Sequence, residues 1–498
     1  MATLALVTGG VPVLWAATMY TAPGANWTVA YLVAFLPTLA MAGLFTIIGI
    51  SMPRSGGDYV FTTRALNPYI GFVNYWGINI AYTLCSGIFS YYGTVYLGYL
   101  LAGLGAFYGN PGIANLGAYL TTFYPALVVG VSVRFIQFVI MILRPRISWG
   151  FILWAGIISL IATAVMIIAI GAISQVTFAA AYNSFMDNST AYANVIKQGG
   201  LTPIPNGLAA VGAALPFTWF AFTWFNLPAA WSGEVKNVKR SMPIAILVAI
   251  TSSAVLYILF AVVSISAFGQ PFLDNWSSLA ASGTAPVPGI GGFVPFFALL
   301  VYKNIALYFI MFVALWFMNW FGGIPLLMSQ TRYIFAMAFD RILPEKLASV
   351  SDRLHTPVIA SILVCLVTFI GFGAMAILPN SGEFSTAMFA IFSFGFIIPA
   401  LAGIVFPFRR KQIYEDSFVA KKKFGLPLLS WLGLGTFIYL VYTTYLASQT
   451  GSLPIDSFTI TVYVTLYGVG VIILAIAYLR NRMKGLPLSL VFKQLPPE

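Results

Sequence analysis

A chain of 498 residues that is 60% hydrophobic and only 7% charged, with mean hydropathy +0.92, cannot clothe a water-facing surface, since soluble chains run about 25% charged. That argues against a soluble enzyme, a disordered chain and a disulfide-stapled secreted fold. Cys85 and Cys365 sit inside apolar runs and His355 is the single histidine, so no Cys/His metal spacing exists and no cofactor is expected. The net charge of +12 would suggest a nucleic-acid partner in a soluble protein, but in a membrane chain it is first a matter of orientation.

A bilayer core about 30 Å thick takes roughly 20 apolar residues per helix, and such windows recur along the whole chain. About twelve spans are expected, at 1–21, 28–51, 69–105, 118–143, 148–173, 207–231, 243–268, 303–337, 357–378, 384–407, 426–448 and 456–480. Only helices and closed barrels satisfy every backbone group in lipid, and these runs lack the alternation of barrel strands. The expected fold is therefore an all-α integral membrane protein. The first span carries Thr8-Gly9-Gly10-Val11-Pro12, and the sixth carries Pro216 and then Phe220-Ala221-Phe222-Thr223-Trp224-Phe225-Asn226-Leu227-Pro228. Gly and Pro within an apolar run mark either a packing kink or a discontinuous helix whose freed backbone groups bind substrate. A separation of five spans is the offset of two inverted repeats. In the fourth span, Arg134 lies ten residues from Arg144 and hence roughly 15 Å deep. It is either a functional charge or a structural arginine bonded to a neighbouring helix.

Once the spans are set, 21 of the 24 basic residues fall on one side, in the even-to-odd junctions and the tail, from Arg54 through Lys421-Lys422-Lys423 to Lys493. Two, Lys197 and Lys303, fall on the other. The basic side is cytoplasmic, so a multi-pass protein of the cell membrane with both termini inside is expected, and the charge requires no nucleic acid. The sequons at Asn26, Asn188 and Asn275 all fall on the outer side.

Three cytoplasmic junctions carry the specific signal. After span 2 comes Pro53-Arg54-Ser55-Gly56-Gly57-Asp58-Tyr59-Val60, and after span 6 comes Gly233-Glu234-Val235-Lys236-Asn237 with Arg240 and Pro243. Span 8 leads from Arg332 through Phe335-Ala336-Met337-Ala338 to Asp340-Arg341-Ile342-Leu343-Pro344, then Thr356-Pro357. In that order and at those spans, the motifs resemble the amino acid/polyamine/organocation (APC) superfamily, and within it an amino acid permease. The resemblance implies a five-plus-five inverted-repeat bundle with broken helices 1 and 6 and two peripheral helices. The core would be 1–408, with repeats at about 1–173 and 207–408, and 409–498 would hold a cytoplasmic loop, spans 11 and 12 and a short tail. The implied function is secondary transport of amino acids or related amines by alternating access. In plain physics the same motifs supply a tight turn at Gly56-Gly57, helix boundaries at Pro53 and Pro243, and Arg/Asp pairs capping solvated ends. On that reading they shape the inner gate and do not touch substrate.

The resemblance also implies a site. In the family the broken part of span 1 offers backbone amides to the substrate carboxylate, an anion site at a half-helix N-terminus, and Gly9, Gly10 and Val11 stand there. Pro12 departs from the pattern, having no amide hydrogen. Only eight residues precede Gly9, about 12 Å of helix, where family members have a longer first half-helix, so an in-frame upstream extension is expected. Counting back from Glu234-Val235-Lys236-Asn237 puts Phe220 where similar transporters use an aromatic gate, with Thr223 and Asn226 in the unwound turn. Asn226 is neutral where some relatives that carry cationic substrates have a carboxylate. No Asp or Glu lies within any expected span, which favours neutral amino acids. Proton-coupled relatives often carry a lysine in span 5, but Ile147 to Ala172 has none. The coupling ion, sodium or proton, stays open, as does exchange without an ion. Asn74, Asn79, Ser86, Asn319 and Ser393 either line the path or bond helix to helix.

An intramembrane enzyme would need an HExxH, an acid pair or a histidine within the spans, and none is present. An amine or polyamine exchanger, or a transporter-like nutrient sensor, is the alternative. Topology is testable directly. In a chain cleared of Cys85 and Cys365, a cysteine at position 188 should react with an impermeant maleimide from outside. Reaction only from the cytoplasm would refute the orientation.

Overall fold

The computed structural model describes residues 19–291, 294–417, 420–449, 455–486 and 488–492. Ten stretches are long and apolar enough to cross a membrane. They are α1 (Trp27–Ser51), α4 (Phe123–Ile142), α5 (Pro145–Gly171), α6 (Gly207–Phe222) with α7 (Leu227–Ala230), α8 (Val238–Phe268), α10 (Ile305–Phe321) with α11 (Gly323–Phe339), α12 (Val358–Ile377), α13 (Ser381–Gly395) with α14 (Ile397–Arg409), α15 (Leu428–Gln449) and α16 (Ser457–Met483). Between α1 and α4 lie α2 (Gly57–Ala65) and α3 (Pro68–Phe107), and α9 (Gln270–Ala281) follows α8. The chain is an all-α multi-pass membrane protein. Its only strands among the described residues are the pairs Lys422–Lys423 and Leu426–Pro427 in one loop.

Local chemistry sets the helix starts. Asn67 accepts hydrogen bonds from the Tyr69 and Ile70 amides, with Pro68 at the first helical position, where its missing N–H costs nothing. Asn206 caps α6 in the same way. Residues such as Leu36, Ile168 and Ile472 are more than half exposed, as an apolar surface facing lipid requires. Inward faces carry the large buried rings, among them Trp219, Trp224 and Tyr82. Of the ten, α16 is the least enclosed.

Two differences from the expected spans appear among the described residues. The expected first span, with Gly9, Gly10, Val11 and Pro12, lies outside the described residues. The third, α3, is one 40-residue helix, but Asn74, Asn79, Ser86 and Ser90 make it too polar to count among the ten. The eighth and tenth are not continuous: each is interrupted, at Gly322 and at Phe396.

The two ends of the bundle are tied differently. At the basic end the expected Arg/Asp caps of solvated ends are instead buried. Arg64 makes a bidentate pair with Asp340, with Nη1 to Oδ2 at 2.7 Å and Nη2 to Oδ1 at 2.6 Å, and the Tyr59 hydroxyl donates to the same carboxylate at 2.7 Å. Both partners' side chains are 2% exposed. Arg332, within α11, pairs with Glu234 through Nε and Nη2 at 2.7 and 3.0 Å. At the other end α9 packs on the segment before α1. Asp274 Oδ2 accepts from the Gly24 amide at 2.9 Å and Gln270 donates to the Ala25 carbonyl. Of the outer sequons, Asn188 is exposed, but Asn275 is packed, bonding to Pro271 and Leu201, and Asn26 caps α1.

Gly56 and Gly57 do more than permit a turn. Gly56 adopts φ +70° and its amide donates to the Ala230 carbonyl at 2.8 Å. A Cβ on Gly57 would stand 2.5 Å from the Ala229 carbonyl oxygen, a backbone atom that cannot step aside. Gly57→Ala should therefore lower stability by about 1–3 kcal/mol, measured as a lower Tm of the purified protein. An unchanged Tm would mean that α2 and α7 are not held this close.

Candidate functional site

The sixth span leaves the α-helix where the sequence places its break. After Phe222 the backbone tightens into a 3₁₀ turn at Thr223–Asn226 before resuming as α7. The i→i−4 ladder fails there and side chains take over the freed carbonyls. Thr223 Oγ1 donates to the Phe220 carbonyl at 2.8 Å, and the Tyr257 hydroxyl donates to the Ala221 carbonyl at 2.9 Å. The Tyr82 hydroxyl donates to Asn226 Oδ1 at 3.0 Å and lies 3.5 Å from the Thr223 carbonyl. The Phe220 carbonyl accepts from the Thr223 amide as well as from its hydroxyl, which fills both of its lone pairs.

Phe220, Thr223 and Asn226 are brought together within this turn, all buried. Around them stands an aromatic cluster that the sequence reading missed. Phe220 rests on Phe389 of α13 with centroids 4.3 Å apart and meets Trp224 edge-on at 5.6 Å. Tyr82 of α3 stacks on Phe392 at 4.4 Å, and Phe89 meets Trp224 at 5.4 Å. Such pairs add about 0.5–1.5 kcal/mol each beyond their area, so the rings close the break with a specific geometry. With 42 Phe, 26 Tyr and 12 Trp in the chain, composition could not single these out. The one available signal was spacing: Tyr75, Asn79, Tyr82 and Ser86 recur at helical intervals and mark one polar face of α3.

The remaining candidates divide. Asn74 donates to the Gly395 carbonyl and Asn319 to Leu315 of its own helix, both structural uses. Ser86 accepts from Arg134 Nη1 at 2.9 Å. Arg134 is fully buried, also donates to Gln137 at 2.7 Å, and has no carboxylate partner; Gln137 in turn donates to the Trp320 carbonyl. That network joins α4 to α3 and to the end of α10, which is the structural role. Asn79 is buried with neither amide atom paired.

Counting spans also missed a carboxylate. Asp58 lies on α2, between spans, yet it is 0% exposed. The Tyr333 hydroxyl donates to its Oδ2 at 2.8 Å, and the Asn226 side chain stands close to it. Tyr75, seven residues or about 10 Å of helix from Tyr82, flanks Asp58. The acid thus sits on the basic-end side of the break. Further out, a cavity of ≈ 550 Å³ opens beside the Arg332–Glu234 pair, lined among others by Arg54, Phe335, Phe339 and His355.

With this geometry in place, similarity to known proteins decides the family. A model of the family described as "Amino acid permease" matches residues 1–472. The chain belongs to that family. It is 23% identical over 450 residues to the branched-chain amino acid permease of Bacillus subtilis (strain 168), covering 84% of this chain and 86% of that one. It is also 28% identical over 171 residues to the human cationic amino acid transporter 4, covering 34% of this chain and 24% of that one. Over 188 residues it is 28% identical to a glutamate/serine transporter of Bacillus subtilis (strain 168), covering 36% of this chain and 33% of that one. The permease is a transporter, not an enzyme.

Within the permease the burial of Arg64–Asp340 is a stability statement. Asp340→Ala leaves a guanidinium buried without its carboxylate, which costs about 3–5 kcal/mol. The loss should appear as a marked fall in Tm, and a fall no larger than that of a surface substitution would contradict the buried pairing.

Proposed function

We propose that this permease is a secondary active transporter of neutral amino acids, working by alternating access across the cell membrane with both termini in the cytoplasm. Two inverted repeats, about 1–173 and 207–408, form the mechanism, with 409–498 peripheral. The substrate carboxylate binds the amides of Gly9, Gly10 and Val11. The ammonium is placed at the carbonyls between Phe220 and Thr223, exchanging for the hydrogen bonds they now accept, and the side chain lies under the Phe220 ring beside Asn226.

The observation that carries this reading is the 3₁₀ turn at Thr223–Asn226 closed by rings. A turn of freed carbonyls offers an ammonium what water would, and Phe220, Trp224, Phe389 and Phe392 offer an apolar side chain its area. Similarity to a branched-chain amino acid permease, at 23% identity over 84% of the chain, supports the neutral assignment. A cationic substrate would draw on Asp58, but that acid already bonds Tyr333. Asn226 is neutral where some relatives that carry cationic substrates have a carboxylate.

Leucine is the direct probe. Proteoliposomes loaded with leucine should accumulate labelled leucine by saturable counterflow, faster than empty ones. Phe220→Ala should weaken leucine binding by about 1–3 kcal/mol, the scale of a lost aromatic contact, with yield and topology retained. Unchanged affinity in that variant would make the sixth-span turn a packing feature and move the site elsewhere.

A further inference from the structure

Among the described residues, Asp58 is a buried acid at this end that has no cationic partner, unlike Asp340 and Glu234. Its Oδ2 has the Tyr333 hydroxyl, but Oδ1 has no hydrogen-bond partner. Neighbouring faces hold further buried polar atoms without partners: both amide atoms of Asn79 on α3, both of Gln330 one turn before Tyr333 on α11, and Asn226 Nδ2. The bland expectation for a buried carboxylate is a cation, and several are near in sequence. Each is turned to another group: Arg64 to Asp340, Arg332 to Glu234, and Arg409 and Arg410 of α14 to the Leu66 and Arg64 carbonyls. Arg54 donates to the Pro53 carbonyl. What does face Asp58 is neutral: Tyr75 and Tyr82 from α3, Tyr333 from α11 and Asn226 from the broken turn, with Tyr59 on α2 itself turned to Asp340. The groups that face it, the Tyr333 and Tyr75 hydroxyls and the Asn226 amide, can all donate, which suits an acid that exchanges a proton better than a site that wraps a metal cation in oxygens.

We propose that Asp58 is the proton-binding group that couples transport to a proton gradient. The carboxyl holds a proton while buried in this conformation and releases it to cytoplasmic water when the contacts of α2 with α7 and α11 part. One proton enters on the carboxyl and one leaves to water, so charge and atoms balance without another reactant.

Burial pushes the Asp58 carboxyl up to about 6, while hydrogen-bonding groups on Tyr333, Tyr75, its own backbone and Asn226 hold it down. An exposed aspartate titrates near 3.9. Burying Asp58 between those values therefore takes up a proton, and exposing it returns the proton. The closed arrangement is favoured at low pH and loses that stabilisation as pH rises through the raised value. The placement links the acid to substrate: α2 touches α7 through Gly57 and Ala229, and α7 continues the turn that holds Thr223 and Asn226.

The inference rests on the transport reading, and its test separates the two. In the full-length protein, infrared difference spectra between acidic and neutral pH should show the carbonyl stretch of a protonated carboxyl that titrates and is lost in Asp58→Asn. Asp274, buried at the other end and also raised to about 7, titrates in a similar window and remains in that variant. Tyr333→Phe removes a donor to the ionised form and should move the Asp58 midpoint to higher pH, which a purely structural tyrosine would not do. In proteoliposomes an inward proton gradient should drive leucine uptake. In Asp58→Asn the ratio of gradient-driven uptake to leucine counterflow should fall about tenfold, the factor that one pH unit is worth. The proposal is overturned if no titrating band is lost with Asp58, if that ratio is unchanged, or if uptake at clamped pH follows a sodium gradient instead. Absence of leucine counterflow in the parent protein would strike at the substrate reading, while the infrared titration would still decide whether Asp58 binds the proton.

Discussion

A backbone that leaves the α-helix inside an apolar slab must have its freed polar groups satisfied by protein, and at Thr223–Asn226 this requirement organises the molecule. Tyrosines reach in from two other helices, Tyr82 from α3 and Tyr257 from α8, to bond the broken turn. Those helices must therefore pack against the sixth span at that level. The aromatic cluster follows from the same constraint, because rings with one polar end can serve a carbonyl and exclude lipid at once.

The broken turn is also wired to the basic end. α7 is only four residues long, and its last carbonyl, Ala230, accepts from Gly56. Gly56 and Gly57 begin α2, which carries Tyr59 and Arg64 to the Asp340 carboxylate. A short rigid path thus runs from the freed carbonyls to a buried ion pair. Glycines at the junction allow the approach, and a Cβ would push the elements apart. The opposite end is held around α9 by hydrogen bonds to the segment before α1 and by a cluster of rings in which Phe272 and Trp276 meet Phe178, Tyr182 and Phe297.

Much of the fold was legible because lipid imposes its rules residue by residue. Span lengths, the basic asymmetry and Gly/Pro signals depend on local chemistry, so the sixth-span break was readable at Phe220 to Pro228. The interruptions at Gly322 and Phe396 were not read, although Gly322-Gly323 with Pro325 and Gly395 with Pro399 carry a form of the same signal, because Gly and Pro are common in continuous membrane helices too. The pairing of Arg64 with Asp340 was not foreseen, because its two residues are 276 apart and only the tertiary fold brings them together and buries them. Asp58 was overlooked for a related reason: a census restricted to spans has no means of seeing that a loop helix tucks back under the bundle. The aromatic partners of Phe220 were hidden by abundance, being a few rings among many.

The central claim is that the turn at Thr223–Asn226 receives the substrate. A cysteine at position 223, in a chain lacking Cys85 and Cys365, tests it most directly through its rate of modification by a small thiol reagent in proteoliposomes. The account predicts that leucine slows this modification in a saturable way, with half-protection at the concentration that half-saturates counterflow. An equal rate with and without leucine, in a variant that still performs counterflow, would contradict it.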